Sequence, residues 1–337
     1  MEVLYFNDPA FSRHDTGPWH PERPARLEAV DRGIHESGLA IRSQRPPRAT
    51  RSQLELVHDA EYVEAIERFC ASGGGALDPD TVVRPASWEA ALRAAGAGPS
   101  AVERLTEAPE DTTAFCAVRP PGHHALAARA MGFCLFNHVA ITARVLAEGG
   151  ARVAVVDWDV HHGNGTQEMI GGDPDLLYVS IHQHPFYPQT GDVTEVGAGD
   201  GRGTVVNAPV PAGTGGDVYR SLFDRVVIPV LEQFAPDWIL VSAGYDAHED
   251  DPLAELRLLD SDYGMMAASL RRLLPPHRVV FFLEGGYHLA AITRSVAETL
   301  LGVSGSWSGN TSVASPPGSW EVVDAVVGRM SAFWDVG

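Results

Sequence analysis

At 337 residues, 45% of them hydrophobic and 20% charged, the chain is long enough for one large α/β domain or two smaller ones. Its 25 Lys and Arg against 44 Asp and Glu leave a formal net charge of −19, which disfavours nucleic acid or a membrane surface as partner and suits cationic ligands. Cys70, Cys116 and Cys134 are scattered, odd in number and without a C-x-x-C pair, which argues against a disulfide framework and for reduced thiols.

Met1 to Asp8 has neither a basic start nor a long apolar segment, and no apolar run approaches the ~20 residues that span a bilayer, so the expected location is the cytoplasm. Val3 to Phe6 is a short strand. His14 to Leu27 is a polar loop that includes Trp19-His20-Pro21-Glu22, and Arg26 to Leu39 has a helical period that stops around Gly38. Glu55 to Phe69 is amphipathic and helical, with His58 at its start as a packing or capping residue. A flexible Gly-rich loop runs from Ser72 to Asp80. Ser87 to Leu105 is an alanine-rich helix in which Gly96, Gly98 and Pro99 predict a bend. Ala114 to Val118 is a strand, Phe136 to Glu148 a helix, and Leu176 to Ile181 a buried strand ending at His182. Gly191 to Gly216 is a long loop with a short strand near Val205-Val206, and Val218 to Phe234 is a helix. Trp238 to Ser242 and Val279 to Leu283 are strands that flank a helix over Ser261 to Leu274, and Ala290 to Leu301 is the last core helix. A Gly/Ser/Pro linker, Ser304 to Ser319, leads to an amphipathic tail helix over Trp320 to Trp334. The alternation of strands and helices predicts a mainly parallel sheet covered by helices on both faces.

The chemistry gathers where apolar strands end. Val153 to Val156 is a continuous β-branched and alanine run, as in a strand buried on both faces, and it turns abruptly into Asp157-Trp158-Asp159-Val160-His161-His162-Gly163-Asn164-Gly165. Asp157, Asp159 and His161 alternate and so leave an extended backbone on one side. Three further strands end in His123-His124, in Asp246, and in Tyr287 beside Gly285-Gly286. Ligands of open parallel sheets bind outside the carboxyl ends of the strands, which brings all four endings to one edge and outweighs the competing reading of a salt-bridged strand end. Asp159, His161 and Asp246 supply three ligands for a hydrolytic metal site with a position left for water; Zn²⁺ is the leading candidate and Fe²⁺ the alternative. His123 and His124 cannot both face one metal and read as a proton-handling pair, with Asp157 and Asn164 as the acceptors available to orient them. Tyr287 follows two glycines that let a phenol swing toward a developing oxyanion.

Arg119-Pro120-Pro121-Gly122-His123-His124-Ala125, Gly132-Phe133-Cys134, Asp157 to Gln167, Ser242 to Asp246 and Leu283-Glu284-Gly285-Gly286-Tyr287 together resemble the zinc-dependent histone deacetylase superfamily, in its class-II-like branch of bacterial histone deacetylase-like and acetylpolyamine amidohydrolases. The resemblance runs from near the N-terminus to about Leu301. It implies a single-domain arginase/deacetylase-like fold, with residues 1–303 as catalytic domain and 304–337 as linker and tail helix packed on it. It implies removal of an acetyl or acyl group from an N-acetylated amine such as acetyl-lysine, an acetylpolyamine or a small-molecule intermediate. Asp159, His161 and Asp246 would bind Zn²⁺, His124 would be general base and then acid, His123 its electrostatic partner oriented by Asp157, and Tyr287 the oxyanion donor. The Gly132 carbonyl would accept the substrate amide N–H, Phe133 and Tyr187 would flank a narrow channel, and Gly285 and Leu253 would complete the substrate site. A structural K⁺ held by Asp157, Asp159, Ser180 and backbone oxygens of His161 and Ile181 is also implied, as is a homo-oligomer in some relatives.

Three positions modify that expectation. Asn164 stands where class I relatives carry an aspartate, so His124 should be less basic. Tyr187 places a hydroxyl on a channel wall that is usually phenylalanine. Leu253 lies where polyamine-selective relatives have a glutamate, leaving Glu22 and Asp80 as the carboxylates that could meet a second cationic nitrogen. Two rivals stand beside this reading: a two-manganese ureohydrolase, against which Gly244 stands where a further acid would be needed, and a non-catalytic acyl-ligand binding module on the same scaffold.

Overall fold

The computed structural model describes residues 1–309 and 311–337. Eight strands form one sheet: β1 (Glu2–Phe6), β2 (Ala40–Gln44), β5 (Thr112–Cys116), β6 (Val153–Asp157), β7 (Leu176–Gln183), β8 (Val205–Val210), β9 (Trp238–Ala243) and β10 (Val279–Leu283). A separate two-stranded ribbon, β3 (Gly75–Ala76) with β4 (Val82–Val83), brackets the loop at Asp78 and Asp80. The large sheet has the order β2-β1-β5-β10-β9-β6-β7-β8, and each pairing in it is parallel.

Alternate residues of each central strand enter different cores, which is why these strands read as unbroken apolar runs. Val156 packs with Phe115, Val241 and Phe281 on one face, while Val153 and Val155 pack with Ala114, Leu240 and Phe282 on the other. The first face is covered by helices Ala25–Glu36, Gly216–Leu222 and Ile228–Phe234 (joined through a π-helical turn, Phe223–Val227), Asp260–Leu273 and Leu289–Ser304. The second is covered by helices Pro85–Thr106 and His138–Glu148. Helix Ala60–Ala71 adds a smaller core over Pro85–Thr106 through Tyr62, Val63 and Ile66. At the C-terminus, helix Trp320–Met330 buries Val323, Val326 and Met330 against the first face, and Trp334 Nε1 donates to the Gly203 carbonyl at 2.8 Å. Of the expected linker, Asn310 lies outside the described residues.

Several elements depart from the sequence expectation. The edge strand β2 escaped notice because Ala40-Ile41-Arg42-Ser43-Gln44 has no buried residue and therefore no alternating pattern. At the other edge, β8 runs through Asn207 and Pro209, and a proline is tolerated there because only one neighbour asks for its hydrogen bonds. The long alanine-rich helix is continuous through Pro99. Gly96 and Gly98 serve close packing in it, since a Cβ would overlap the Pro47 carbonyl at the first and Thr142 Oγ1 at the second. His58 precedes its helix and bridges two backbone groups. Its Nδ1 lies 3.1 Å from the Leu126 carbonyl, and its Nε2 accepts the Asn137 N–H at 2.9 Å.

Candidate active site

The four strands whose endings carry the unusual polar residues, β5, β10, β9 and β6, are consecutive neighbours in the middle of the sheet. Their register places the endings at one height, with Phe282 opposite Cys116, Leu283 opposite Ala243, and Asp157 opposite Ser242. Adjacent strands stand about 4.8 Å apart, so residues distant in sequence meet within a few side-chain lengths.

Asp159, His161 and Asp246 each present a ligand atom, and the three atoms lie within 4.8 Å of one another. His161 Nδ1 is 3.1 Å from Asp159 Oδ1 and 3.2 Å from Asp246 Oδ2. Strand β6 ends at Asp157, so the approach of Asp159 and His161 comes from the turn that follows rather than from strand alternation. Asp157 is not one of the trio: its Oδ2 faces His123 Nδ1 at 3.0 Å and its Oδ1 accepts the Asp159 N–H at 3.1 Å. The second oxygens of the ligand carboxylates are held from behind: Asp159 Oδ2 accepts the Gly285 N–H at 2.7 Å, and Asp246 Oδ1 accepts the Val160 N–H at 3.0 Å. Among the described residues, buried Asp246 Oδ2 has no polar neighbour but the His161 Nδ1 it shares with Asp159 Oδ1, and a Cβ at Gly285 would overlap that same oxygen. Two buried carboxylate oxygens that share one imidazole N–H, and a cradle only glycine leaves open, fit a divalent ion. Burial resists a charge on His161, yet the neighbouring Asp159 and Asp246 carboxylates push its pKa up to about 9. His162 does not join them; its ring nitrogens face Thr190 Oγ1 and Gln167 Oε1.

The two neighbouring histidines have opposite electrostatics. Burial works against a charged His123, but Asp157, 3.0 Å from Nδ1, together with Asp159 and Glu284, pushes its pKa up to about 10. Burial, reinforced by His123 and His161, pulls His124 well below its ordinary value, and only the neutral Asn164 faces its Nδ1, at 2.8 Å. Asn164 Oδ1 can only accept, so the network assigns the proton to Nδ1 and leaves the His124 Nε2 lone pair free. Asp157 is anchored in turn by the Tyr178 hydroxyl at 3.0 Å. The Tyr287 phenol is raised well above 10, by burial and then by Asp246, so it stays a hydrogen-bond donor.

His123, His124, His161, Gly132, Phe133, Tyr187, Leu253, Gly285 and Tyr287 line one cavity of about 220 Å³, with Pro121 and Asp80 beside them. Phe133, held at φ 67° after Gly132, sits edge-on to Tyr287 at 6.0 Å between ring centroids. Across from it, the Tyr187 ring stands edge-on to His124 at 5.2 Å. Gly132 has φ 55°, and a Cβ there would overlap the His124 ring, so the chain has room only for glycine beside the base. Every residue proposed from sequence for the metal, the histidine pair, the phenol and the channel walls is thus gathered in or directly behind this cavity.

Glu22 is the exception among the carboxylates considered. It is wholly buried, ion-paired with Arg119 and, at 3.0 Å, with Arg26, so it cannot meet a substrate, and Asp80 alone of the two reaches the cavity. Three buried charges were not singled out in the sequence. Arg26 donates to the Gly286 carbonyl at 2.5 Å and to that of Glu284, and its guanidinium lies 5.1 Å from the Tyr287 ring centre. Glu284 Oε2 accepts the Gly122 and His123 N–H groups at 2.7 and 3.2 Å. Asp251 accepts the Tyr287 N–H at 2.6 Å. Only Glu284, next to Gly285-Gly286, carried a signal in the sequence; Arg26 and Asp251 have no glycine beside them.

Comparison with known proteins gives the family and the fold. A profile of the histone deacetylase domain matches residues 20–303. A histone deacetylase-like amidohydrolase of Pseudomonas aeruginosa is 39% identical over 294 residues, 84% of this chain and 76% of that protein. A probable deacetylase of Methanothermobacter thermautotrophicus is 37% identical over 337 residues, 99% of this chain and 100% of that protein. The crystal structure of the HDA15 HD domain superposes with a TM-score of 0.91 at 32% identity, covering 99% of this chain and 95% of that one. By fold, by the span of the domain match and by its relatives, this chain belongs to the histone deacetylase family of hydrolases.

Proposed function

We propose that the protein hydrolyses the amide of an N-acetylated amine, with Asp159, His161 and Asp246 holding Zn²⁺. The observation that carries this reading is the pairing, in one narrow cavity, of a histidine with a free Nε2 and a protonated tyrosine beside an anionic ligand trio. When bound, the metal ion supplies Lewis acidity to the acyl oxygen and to water. His124 Nε2 takes the proton as water oxygen bonds to the acyl carbon. The Tyr287 hydroxyl donates to the carbonyl oxygen as it gains charge, where a preorganised donor is worth most. His124 then returns the proton to the amine nitrogen as the C–N bond breaks, leaving acetate and a free amine. The His123–Asp157 ion pair keeps a positive charge behind His124 and holds it neutral until that transfer. The Gly132 carbonyl is the acceptor we assign to the substrate amide N–H, and Phe133 with Tyr187 the walls that exclude water from its stem.

Leu253 and Tyr187, both partly exposed at the mouth, favour a substrate with an aliphatic stem, such as acetyl-lysine in a peptide, and Asp80 is the one carboxylate lining the cavity that could meet a cationic nitrogen beyond it. Two further assignments belong to the same reading. K⁺ would be held near Asp157, Asp159 and Ser180, with the backbone oxygens of His161 and Ile181; Ser180 is the register partner of Asp157. Residues 304–337 would brace the catalytic domain, from which they are otherwise distinct, in a cytoplasmic enzyme. The two-manganese alternative has less support, because the only ligand cluster among the described residues is the single trio, and a side chain at Gly244 would overlap Asp159.

The test is acetate release from an acetyl-lysine reporter by zinc-loaded protein. Tyr287→Phe and His124→Ala should each lower kcat by about 10² to 10⁴ with little change in melting temperature. Wild-type turnover in both variants overturns the proposal.

A further inference from the structure

We propose that Asp251 is the positioning residue of the Tyr287 phenol: one buried carboxylate fixes the backbone that carries the phenol and, through the same group, the facing rim at Leu253. The inference rests on the deacetylase reading above.

Asp251 is 5% exposed. Among the described residues none of its hydrogen bonds comes from a cation; its oxygens accept three backbone N–H groups. Oδ2 takes those of Tyr287 at 2.6 Å and His288 at 3.1 Å, and Oδ1 takes that of Leu253 at 3.1 Å. A carboxylate is expensive to keep out of water, so its place is explained by what it holds. Both Tyr287 and Leu253 line the cavity, while Asp251 stands behind it. His288 is also the N-cap of helix Leu289–Ser304, whose positive end favours an anion at this point.

The segment it holds cannot fix itself. Gly285 and Gly286 precede Tyr287, and Gly286 has φ 111°, a region where only glycine is at ease. The peptide plane between Gly286 and Tyr287 could therefore rotate and carry the phenol out of line. It is gripped on both sides instead: Arg26 Nε donates to its carbonyl at 2.5 Å, and Asp251 accepts from its N–H at 2.6 Å. A cation on one end and an anion on the other oppose that rotation in both directions. Misplacement of a reacting group by about 1 Å costs on the order of 10² in rate, which sets the expected effect.

The experiment is a double-mutant cycle on the zinc-loaded full chain, with kcat and KM for an acetyl-lysine reporter and with zinc content and melting temperature measured for each variant. Asp251→Ala should lower kcat about 10- to 100-fold and move KM less than about 3-fold. Asp251→Asn keeps one acceptor oxygen for the Tyr287 and His288 N–H groups and should restore kcat to within about 5-fold of wild type. In the Tyr287→Phe background, Asp251→Ala should cost less than about 2-fold more, because the group it positions is gone. A carboxylate that merely stabilises the fold would lower kcat equally in both backgrounds; losses that multiply, or an unchanged kcat in Asp251→Ala, overturn the proposal. Should Asp251→Ala fail to fold, Asp251→Ser replaces it in the same cycle. A wild-type chain that releases no acetate sinks the deacetylase reading itself, whereas a wild type that turns over with a multiplicative cycle sinks only the role of Asp251.

Discussion

Replacing Asn164 by aspartate isolates what the partner of a buried histidine does to its basicity. The molecule contains its own comparison. His123 and His124 are adjacent and equally buried, yet the one facing a carboxylate at 3.0 Å is pushed up to about 10, while the one facing an amide at 2.8 Å falls well below 6.5. A unit charge at about 4 Å and an effective dielectric constant near 20 is worth about 4 kcal/mol, an upper bound of roughly 3 pKa units. Burial of the new carboxylate and repulsion from Asp159 offset part of that, so Asn164→Asp should raise the His124 pKa by about 2 units. The sign follows directly: a more basic His124 keeps its proton to higher pH, so the acid limb of kcat/KM moves toward alkaline pH by that amount. On the alkaline plateau the stronger base should leave kcat at or above the wild-type value. The assay is the pH profile of kcat/KM on an acetyl-lysine reporter from about pH 5 to 9, with zinc content checked in both proteins. An acid limb that stays in place or moves toward lower pH refutes the assignment of His124 as the base oriented by residue 164.

Gly285→Ala puts a methyl group against Asp246 Oδ2 and should lower bound zinc per chain, measured by elemental analysis, before it lowers melting temperature. Glu22→Gln strands two buried guanidinium groups, Arg26 and Arg119, and should cost about 3–5 kcal/mol in denaturant unfolding. His58 is held neutral in the fold, with a pKa lowered to about 4 chiefly by burial, whereas the unfolded chain takes up the proton near 6.5. Its contribution is therefore complete above pH 6.5 and is lost as pH falls toward 4, worth about 3 kcal/mol. Urea midpoints across that range should show a drop that His58→Gln reduces, and an equally steep drop in the variant would refute the assignment.

Much of the site was legible because the sequence announces it locally. Val153 to Val156 is too apolar for a surface, and Asp157, Asp159 and His161 are too polar for a core, so the boundary between them marks a functional strand end. The same contrast marks Asp246 after Trp238 to Ser242 and Tyr287 after Val279 to Leu283. Parallel topology then converts four such boundaries into one place. Edge strand β2 was not legible because it has no buried side, and β8 was legible only at Val205-Val206 because Asn207 and Pro209 interrupt its apolar run. Nor were the functions of Glu22, Arg26 and Asp251, since the burial of a charge is a property of the assembled fold: Glu22 in a polar loop looks like a surface acid, and only the approach of Arg119 and Arg26 reveals otherwise. The position of His58 ahead of its helix was likewise set by distant partners, the Leu126 carbonyl and the Asn137 amide.

The consecutive placement of β5, β10, β9 and β6 has a bearing on how such a protein can diversify. Strands β2 and β8 bound the sheet on either side of this quartet, so insertions, trimming or new contacts along those flanks leave the reacting atoms where they are. Novel substrates would then be acquired through the loops that roof the quartet, while the ladder beneath stays rigid and inherits its alignment unchanged.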